Sequence, residues 1–313
     1  MIDALKTKAA ALGLAAVGIT PATDDVRGLS DWAGSVVCAA ISYLPPDSQP
    51  IESPHGLVAR VARGADYHTV LREKLERLAE VISQEHPSAR LEVCVDTCPL
   101  PERKLAIAAG IAWRGKNGNV FVEGCGSWVA LGEIVTDLPL TPTKSPEVDR
   151  CGDCTRCIDS CPTKAIAAPY EINYKKCLSA LTQASDSITP DLRTAMGNRI
   201  YGCDVCQEVC PQNSGIAATA TEFATSIFPG AHPELIPLIN LTADEFREMI
   251  APSSIGWIRR TRIRRNAAIA AGNLKCTEAI PALTKMLADE NPMLRETATW
   301  ALEQFGHDTT EEK

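Results

Sequence analysis

Cys151-Gly-Asp-Cys154-Thr-Arg-Cys157-Ile-Asp-Ser-Cys161-Pro162 decides the reading of this chain, together with Cys177 and the later run Cys203-Asp-Val-Cys206-Gln-Glu-Val-Cys210-Pro211. Eight of the thirteen cysteines fall in this one stretch. The first run has the ligand spacing of a two-cluster ferredoxin, in which the fourth cysteine binds the other cluster because the chain turns away there. That crossover assigns Cys151, Cys154, Cys157 and Cys210 to one [4Fe–4S] cubane. It assigns Cys161, Cys177, Cys203 and Cys206 to the other. Thiolate sulfur is a soft ligand suited to iron–sulfur chemistry, and no closely spaced histidine competes within either run. Paired zinc sites and disulfides are the competing assignments. The stretch reads as an electron-transfer module, and such a module needs something to feed.

Working outward, 313 residues suffice for two or three domains. The formal charge of −8 argues against wholesale coating of nucleic acid and leaves room for a local basic patch. The opening MIDALKTKAAALGLAAVGI carries Asp3, Lys6 and Lys8 and lacks a signal-peptide pattern. No run of eighteen apolar residues exists, so no membrane span is expected. Free thiolates in such number need a reducing compartment, which predicts a cytoplasmic protein.

Residues 1–140 read as a mixed α/β domain. Val36–Tyr43 is a buried-strand pattern stopped by Pro45 and Pro46, and Val70, Leu71, Leu75, Leu78 and Ile82 share one helical face between Thr69 and His86. Leu91, Val93 and Val95 alternate with polar neighbours, which predicts a strand ending at Asp96; Pro99 or Pro101 then opens a helix reaching Gly110. A further strand spans Trp128 to Val135, and TDLPLTPTKSPEVDR after it is a proline-marked linker. The cysteine module occupies residues 141–215. Residues 216–313 are helical: Ile263–Leu274 recurs 31 residues later as Leu294–Phe305, with matched small alanines and with Pro281 and Pro292 near helix starts. This predicts one HEAT-type unit and a partial second, at a period shorter than usual.

Clusters pass single electrons, so a second redox centre is expected in the α/β domain. No G-x-G-x-x-G follows a strand and no P-loop is present, which weakens nicotinamide, typical flavin and ATP readings. The residues alone lead to an iron–sulfur oxidoreductase with an unidentified partner centre.

CGDCTRCIDSCPTKAI, the isolated Cys177 in KKCLSALT, IYGCDVCQEVCPQN, RGADYH (63–68), VDTCPLPERKLAIAAGIAWRGKN (95–117), GSWVALGEI (126–134) and RRNAAIAAGNL (264–274) closely resemble the epoxyqueuosine reductase family. The resemblance runs in order over roughly residues 55 to 305. It implies an α/β (α+β) fold: a nitroreductase-like cobalamin domain, a ferredoxin-like two-cluster domain and HEAT-like helices that hold tRNA. It implies two [4Fe–4S] clusters and a cobalamin that together reduce epoxyqueuosine to queuosine at the tRNA wobble position. It also implies the anticodon loop as partner, an external low-potential electron donor of flavodoxin or ferredoxin type, no membrane and a monomer.

Asp96 matches the family's proposed proton donor. Near an apolar corrin face its pKa is expected to rise, keeping it protonated for general-acid work; helix capping is the alternative role. Arg103 matches a second position near the site, where it orients Asp96, binds a substrate oxygen or phosphate, or pairs with Glu102. Asp66, Tyr67 and His68 are expected at the pocket. Their sequence lacks the glycine of the D-x-H-x-x-G pattern, which implies cobalamin bound with no protein histidine on cobalt. Lys116 and Asn117 contact cofactor or tRNA phosphate, or form a turn. Arg259, Arg260, Arg262, Arg264 and Arg265 form the densest basic run and are expected to meet tRNA phosphates, a solvated helix start being the alternative.

Departures from the family pattern are Cys98 in place of glycine, Cys125 before GSW, and Ala65 in place of arginine. Cys94, Cys98 and Cys125 are expected to be unligated thiols. A paralogous cobalamin reductase of the reductive-dehalogenase kind and a non-catalytic electron carrier are the alternatives to the reductase.

Overall fold

A computed structural model of the chain describes residues 1–45, 54–96, 98–143, 150–224 and 230–306. Pro46, Thr97 and linker residues 144–149 lie outside the described residues. The N-terminal region contains α1 (Ile2–Ala11), β1 (Ala16–Pro21), α2 (Asp24–Arg27), β2 (Ser35–Ser42), β3 (Leu57–Val58), α3 (Tyr67–Glu85) and β4 (Leu91–Cys94). It continues with α4 (Glu102–Ala108), β5 (Trp113–Arg114), β6 (Val120–Phe121) and β7 (Val129–Thr136). Four strands form one antiparallel sheet in the order β1–β2–β7–β4.

The two central strands read as nearly continuous apolar runs because helices cover both faces of the sheet. On one face Leu5, Leu71, Leu75 and Leu78 pack over Val37, Ile41 and Ile134. A Cβ on Gly132 would meet the side chains of Leu71 and Leu75, so glycine lets α3 lie close on the sheet. On the other face Leu105 and Ala106 of α4 pack near Cys38, Val135 and Leu131. Side chains alternate along a strand, so Leu131, Glu133 and Val135 all face α4.

The cysteine region carries α5 (Arg156–Asp159), β8 (Ile166–Ala168), β9 (Glu171–Ile172), α6 (Leu178–Gln183), α7 (Pro190–Met196), β10 (Arg199–Tyr201) and α8 (Val205–Glu208). β10 pairs in parallel with β3, which straps the N-terminal region onto the module. The last region holds α9 (Leu235–Asn240), α10 (Ala243–Glu245), α11 (Arg259–Leu274), α12 (Ile280–Met286) and α13 (Pro292–Glu303). The matched repeats are α11 and α13, and a Cβ added to Gly272 would lie 3.0 Å from the Ala301 Cα at their contact, so glycine lets the two helices pack this closely. Val58, Ala62, Leu178, Met196 and Ile200 share one core with Leu238, Ile263, Ala267, Ala298 and Leu302. Among the described residues, no helix is long and apolar enough to cross a membrane.

Candidate active site

β4 ends at Cys94, two residues before the expected end, because Asp96 takes a positive φ of 52° and turns the chain out of the sheet. Such a backbone is costly for a non-glycine residue and collects at functional sites. The turn brings Cys94 and Cys98 together as a disulfide with Cα atoms 5.7 Å apart, which corrects the expectation of two free thiols. Cys125 is free and half-buried. Asp96 does not cap α4: Pro101 occupies that position, and the Asp96 N–H instead donates to Glu102 Oε1 at 2.8 Å.

The carboxylate of Asp96 meets the start of α3. Asp66 caps that helix by accepting the His68 N–H at 3.0 Å. The same Asp66 oxygen lies 2.6 Å from His68 Nδ1, while His68 Nε2 lies 3.2 Å from Asp96 Oδ2. The Tyr67 hydroxyl donates to that Asp96 oxygen at 3.1 Å. A ring held between two carboxylates gains as a cation, and the hydrogen bonds to Asp66 and then Asp96 push His68 up to about 9. Conversely, the His68 hydrogen bond, helped by Tyr67 and the charge of Arg103, holds Asp96 below its ordinary value. The expected protonated Asp96 is therefore corrected: the Asp96 side chain is 57% exposed, and the proton of the pair resides on His68.

Asp96 and Tyr67 open onto a cavity of about 490 Å³, within the ordinary size of cofactor sites. Val61, Val129, Leu131 and Ile172 supply apolar wall, and Asn119, Ser179, Gln183 and Gln207 supply amides and hydroxyls. Arg103 lines it too, its guanidinium donating to the Gly118 carbonyl at 3.0 Å and not pairing with Glu102. Asp66 and His68 stand behind Asp96, outside the lining. Cys177, Cys203 and Cys206 line it as well. Burial and then the neighbouring Cys203 and Cys177 push the Cys206 thiol up to about 12. A second cavity is lined by Cys151, Cys154, Cys157 and Cys210. Burial and then Cys210, Cys151 and Cys154 push the Cys157 thiol up. Four cysteine sulfurs converging on one cavity suit a bound metal cluster, which replaces their protons.

Asn117 lines both cavities, and its amide donates to the Cys206 carbonyl at 3.2 Å. The Asn117–Gly118 turn is present, with Gly118 at φ 80°. Lys116 lines the second cavity and donates to the carbonyls of Gly152 and of Cys154, so its ammonium fastens the α/β region to the first cysteine loop.

The basic run divides by burial. Arg259 is exposed at the start of α11, while Arg260 and Arg262 are half-buried and donate to the Leu241 and Ile258 carbonyls. Arg264 donates to the Ile239 carbonyl and pairs with Asp289 at 2.7 Å. Arg265 is 0% exposed and donates to the carbonyls of Leu181, Thr182, Ala184 and Asp186. Arg265 therefore cannot meet tRNA, because its five-donor fork is spent joining α11 to the end of α6. Burial lowers it to about 10, which leaves it charged at neutral pH.

Two carboxyls at the site escaped the sequence reading. Glu102 lines the cavity and Glu133 is 0% exposed beneath it, and burial pushes both up, Glu133 by far the more. The available signal for Glu133 was an ionisable residue inside the apolar strand VALGEIV.

Comparison with known proteins gives one consistent answer. A family model described as "Epoxyqueuosine reductase QueG, DUF1730" matches residues 24–97, a "4Fe-4S double cluster binding domain" matches residues 150–213, and "HEAT repeats" match residues 259–312. The chain is 39% identical over 279 residues to an epoxyqueuosine reductase of Staphylococcus aureus, covering 87% of this chain and 73% of that protein. It is 38% identical over 274 residues to that of Escherichia coli K12, covering 86% and 72%. Its structure superposes at TM-score 0.90 and 32% identity on an epoxyqueuosine reductase crystallised with an epoxyqueuosine-modified tRNA-Tyr stem loop, covering 98% of this chain and 90% of that one.

Proposed function

The chain belongs to the epoxyqueuosine reductase family, and from that premise we propose that it reduces epoxyqueuosine to queuosine in tRNA, with Asp96 and His68 delivering a proton at the cavity. The observation that carries the reading is one cavity lined both by Asp96 and Tyr67 and by Cys177, Cys203 and Cys206. Proton delivery and electron delivery thus converge on a single space.

The chain divides into a catalytic part (1–140), a two-cluster part (141–215) and a tRNA-docking part (216–313). Cys151, Cys154, Cys157 and Cys210 would hold one [4Fe–4S] cluster and Cys161, Cys177, Cys203 and Cys206 the other, and the pair would supply single electrons beside the cavity that Cys177, Cys203 and Cys206 line. The external donor is a low-potential carrier of flavodoxin or ferredoxin type, and the protein works as a cytoplasmic monomer.

The cavity fits cobalamin: apolar walls suit a corrin face, and the amides and hydroxyls of Asn119, Ser179, Gln183 and Gln207 suit its amide arms. Both nitrogens of His68 are engaged by carboxylates, which supports cobalamin held without that histidine as a ligand. Bound there, cobalamin supplies a metal centre that gathers single electrons into the pair the reduction needs. The chain's own residues do the rest. Tyr67 and His68 aim Asp96, and the imidazolium holds the proton that Asp96 relays to the departing oxygen. Arg103 adds positive charge beside Asp96. The exposed Arg259 meets tRNA phosphate, which positions the anticodon loop without reading it. An electron carrier alone has no use for this acid–imidazole cluster.

The test is anaerobic. Protein reconstituted with iron, sulfide and cobalamin is given a low-potential reductant and epoxyqueuosine-containing tRNA, and the nucleosides are weighed by mass spectrometry. Loss of one oxygen from the modified base is expected. An unchanged base, with both clusters and cobalamin bound, overturns the reading.

The His68 pairing also sets a pH limb. Its folded value of about 9 exceeds the ordinary 6.5, so the pairing is fully present below pH 6.5 and is lost as pH rises through about 9. Single-turnover rates should hold from neutral pH and fall near pH 9. His68→Gln should be slower throughout and lack that limb.

A further inference from the structure

Reducing an epoxide to an alkene consumes two electrons and two protons and releases water. His68 and Asp96 account for one proton. A source for the other lies directly behind them.

Glu133 sits within β7, opposite Cys38 on β2 and Cys94 on β4. It is 0% exposed, and neither carboxyl oxygen has a hydrogen-bond partner. Buried polar groups nearly always find partners, so an orphaned carboxyl in a central strand needs a reason. Its strand neighbours on the same face, Leu131 and Val135, pack near Ala106 and Leu105 of α4. Glu133 therefore points at the helix whose first residue is Glu102. Glu102 lines the cavity and accepts the Asp96 N–H. The groups facing Glu133 are the Cys38 thiol from β2, Glu102 from α4 and Asp96 from the turn after β4; Cys94 is closed in its disulfide, and α3 packs on the opposite face. Burial first, then the charges of Glu102 and Asp96, favour the neutral acid.

We propose that Glu133 stores a proton for the reduction and passes it, across one bridging water, through Glu102 to the oxygen leaving the substrate. This rests on the reductase reading of the cavity. Both epoxide C–O bonds break and the C=C bond forms. The two electrons come from the iron–sulfur clusters, recharged by an external low-potential one-electron donor. The oxygen departs as water with one proton from His68 by way of Asp96 and one from Glu133 by way of Glu102, and solvent reprotonates both. Acting through Glu102, Glu133 is a positioning residue for a proton.

The test uses Glu133→Gln, which keeps the shape and removes the store. In cluster-loaded wild-type protein, infrared spectra should show the carbonyl band of a protonated buried carboxyl, shifted in D₂O and lost in Glu133→Gln. Single-turnover deoxygenation of epoxyqueuosine-containing tRNA should slow by about 100-fold, the low end of general-acid effects. The residual rate should fall steadily with rising pH, because the second proton now comes from solvent, whereas wild type stays flat until the His68 limb. A purely structural role leaves the pH profile unmoved, whatever the band shows. Should Glu133→Gln not fold, Glu102→Gln carries the same pH signature. A wild-type rate and pH profile in the variant, or a band that survives the substitution, overturns the proposal. Wild-type protein that binds its cofactors but leaves the tRNA unchanged overturns the reductase reading instead, and the infrared band still decides whether Glu133 holds a proton.

Discussion

Asp96→Asn should cut single-turnover conversion of epoxyqueuosine-containing tRNA by about 10²–10⁴-fold, the span of a lost general acid. Iron content should be unchanged, because the hydrogen bonds of Asp96 run to Tyr67, His68 and Glu102 and to no cysteine of either cluster set. The amide still accepts from Tyr67 but offers His68 no negative charge. His68 then keeps only Asp66 as an anionic partner, so the pH limb near 9 should move down towards 6.5. Nucleoside mass spectrometry measures the first effect and a pH series on the residual rate measures the second. A capping residue would behave differently, costing about 1 kcal/mol of stability on removal with little effect on rate. Since Pro101 holds the cap position, urea unfolding of Asp96→Asn should stay close to wild type. Full activity in this variant removes Asp96 from the chemistry.

Arg265→Met should be the most damaging single change to the fold outside the cysteines. Methionine fills similar space but leaves the carbonyls of Leu181, Thr182, Ala184 and Asp186 facing a dry interior. Each buried acceptor left without its donor costs about 1–3 kcal/mol, so the four together take a large share of the roughly 5–15 kcal/mol that holds a domain together. The urea midpoint should fall accordingly. The damage should reach the clusters, because α6 begins directly after Cys177 and loses its tie to α11. Arg259→Ala is the contrasting case from the same basic run. Its side chain is exposed, so stability should shift by no more than about 0.5 kcal/mol. Its effect should instead be a weaker tRNA affinity with a salt slope reduced by about 1. If Arg265→Met melts like wild type, the buried-clasp assignment fails.

The electron-transfer half of the protein was legible in sequence because metal ligation is written in local spacing. C-x2-C-x2-C-x3-C-P is a short-range geometric instruction, and any chain that folds around it presents sulfur at those intervals. The apolar strands at Val36 and Trp128 and the long helix before His86 were legible for a similar reason, since hydrophobic period follows from local backbone geometry. The repeated alanine faces of α11 and α13 belong with them. These features depend on residues a few positions apart.

The ionisation and burial of single side chains were decided by tertiary structure. Asp96 was recognisable as an acid at a strand end. Its charge state depends on a histidine 28 residues earlier that the fold brings within 3.2 Å. Arg264 and Arg265 stand in a run that reads as a solvated, RNA-facing surface, and packing of α11 against α6 and α9 turned them inward. Lys116 found carbonyls of the first cysteine loop, contacts that no local pattern announces. Glu133 was one polar letter in an apolar strand until the sheet buried it beneath Glu102. Spacing along the chain determines which atoms can ligate and which segments coil or extend. Dielectric surroundings and charge partners come from residues distant in sequence, so which group holds a proton, and which arginine is free to bind, is settled only when those residues meet.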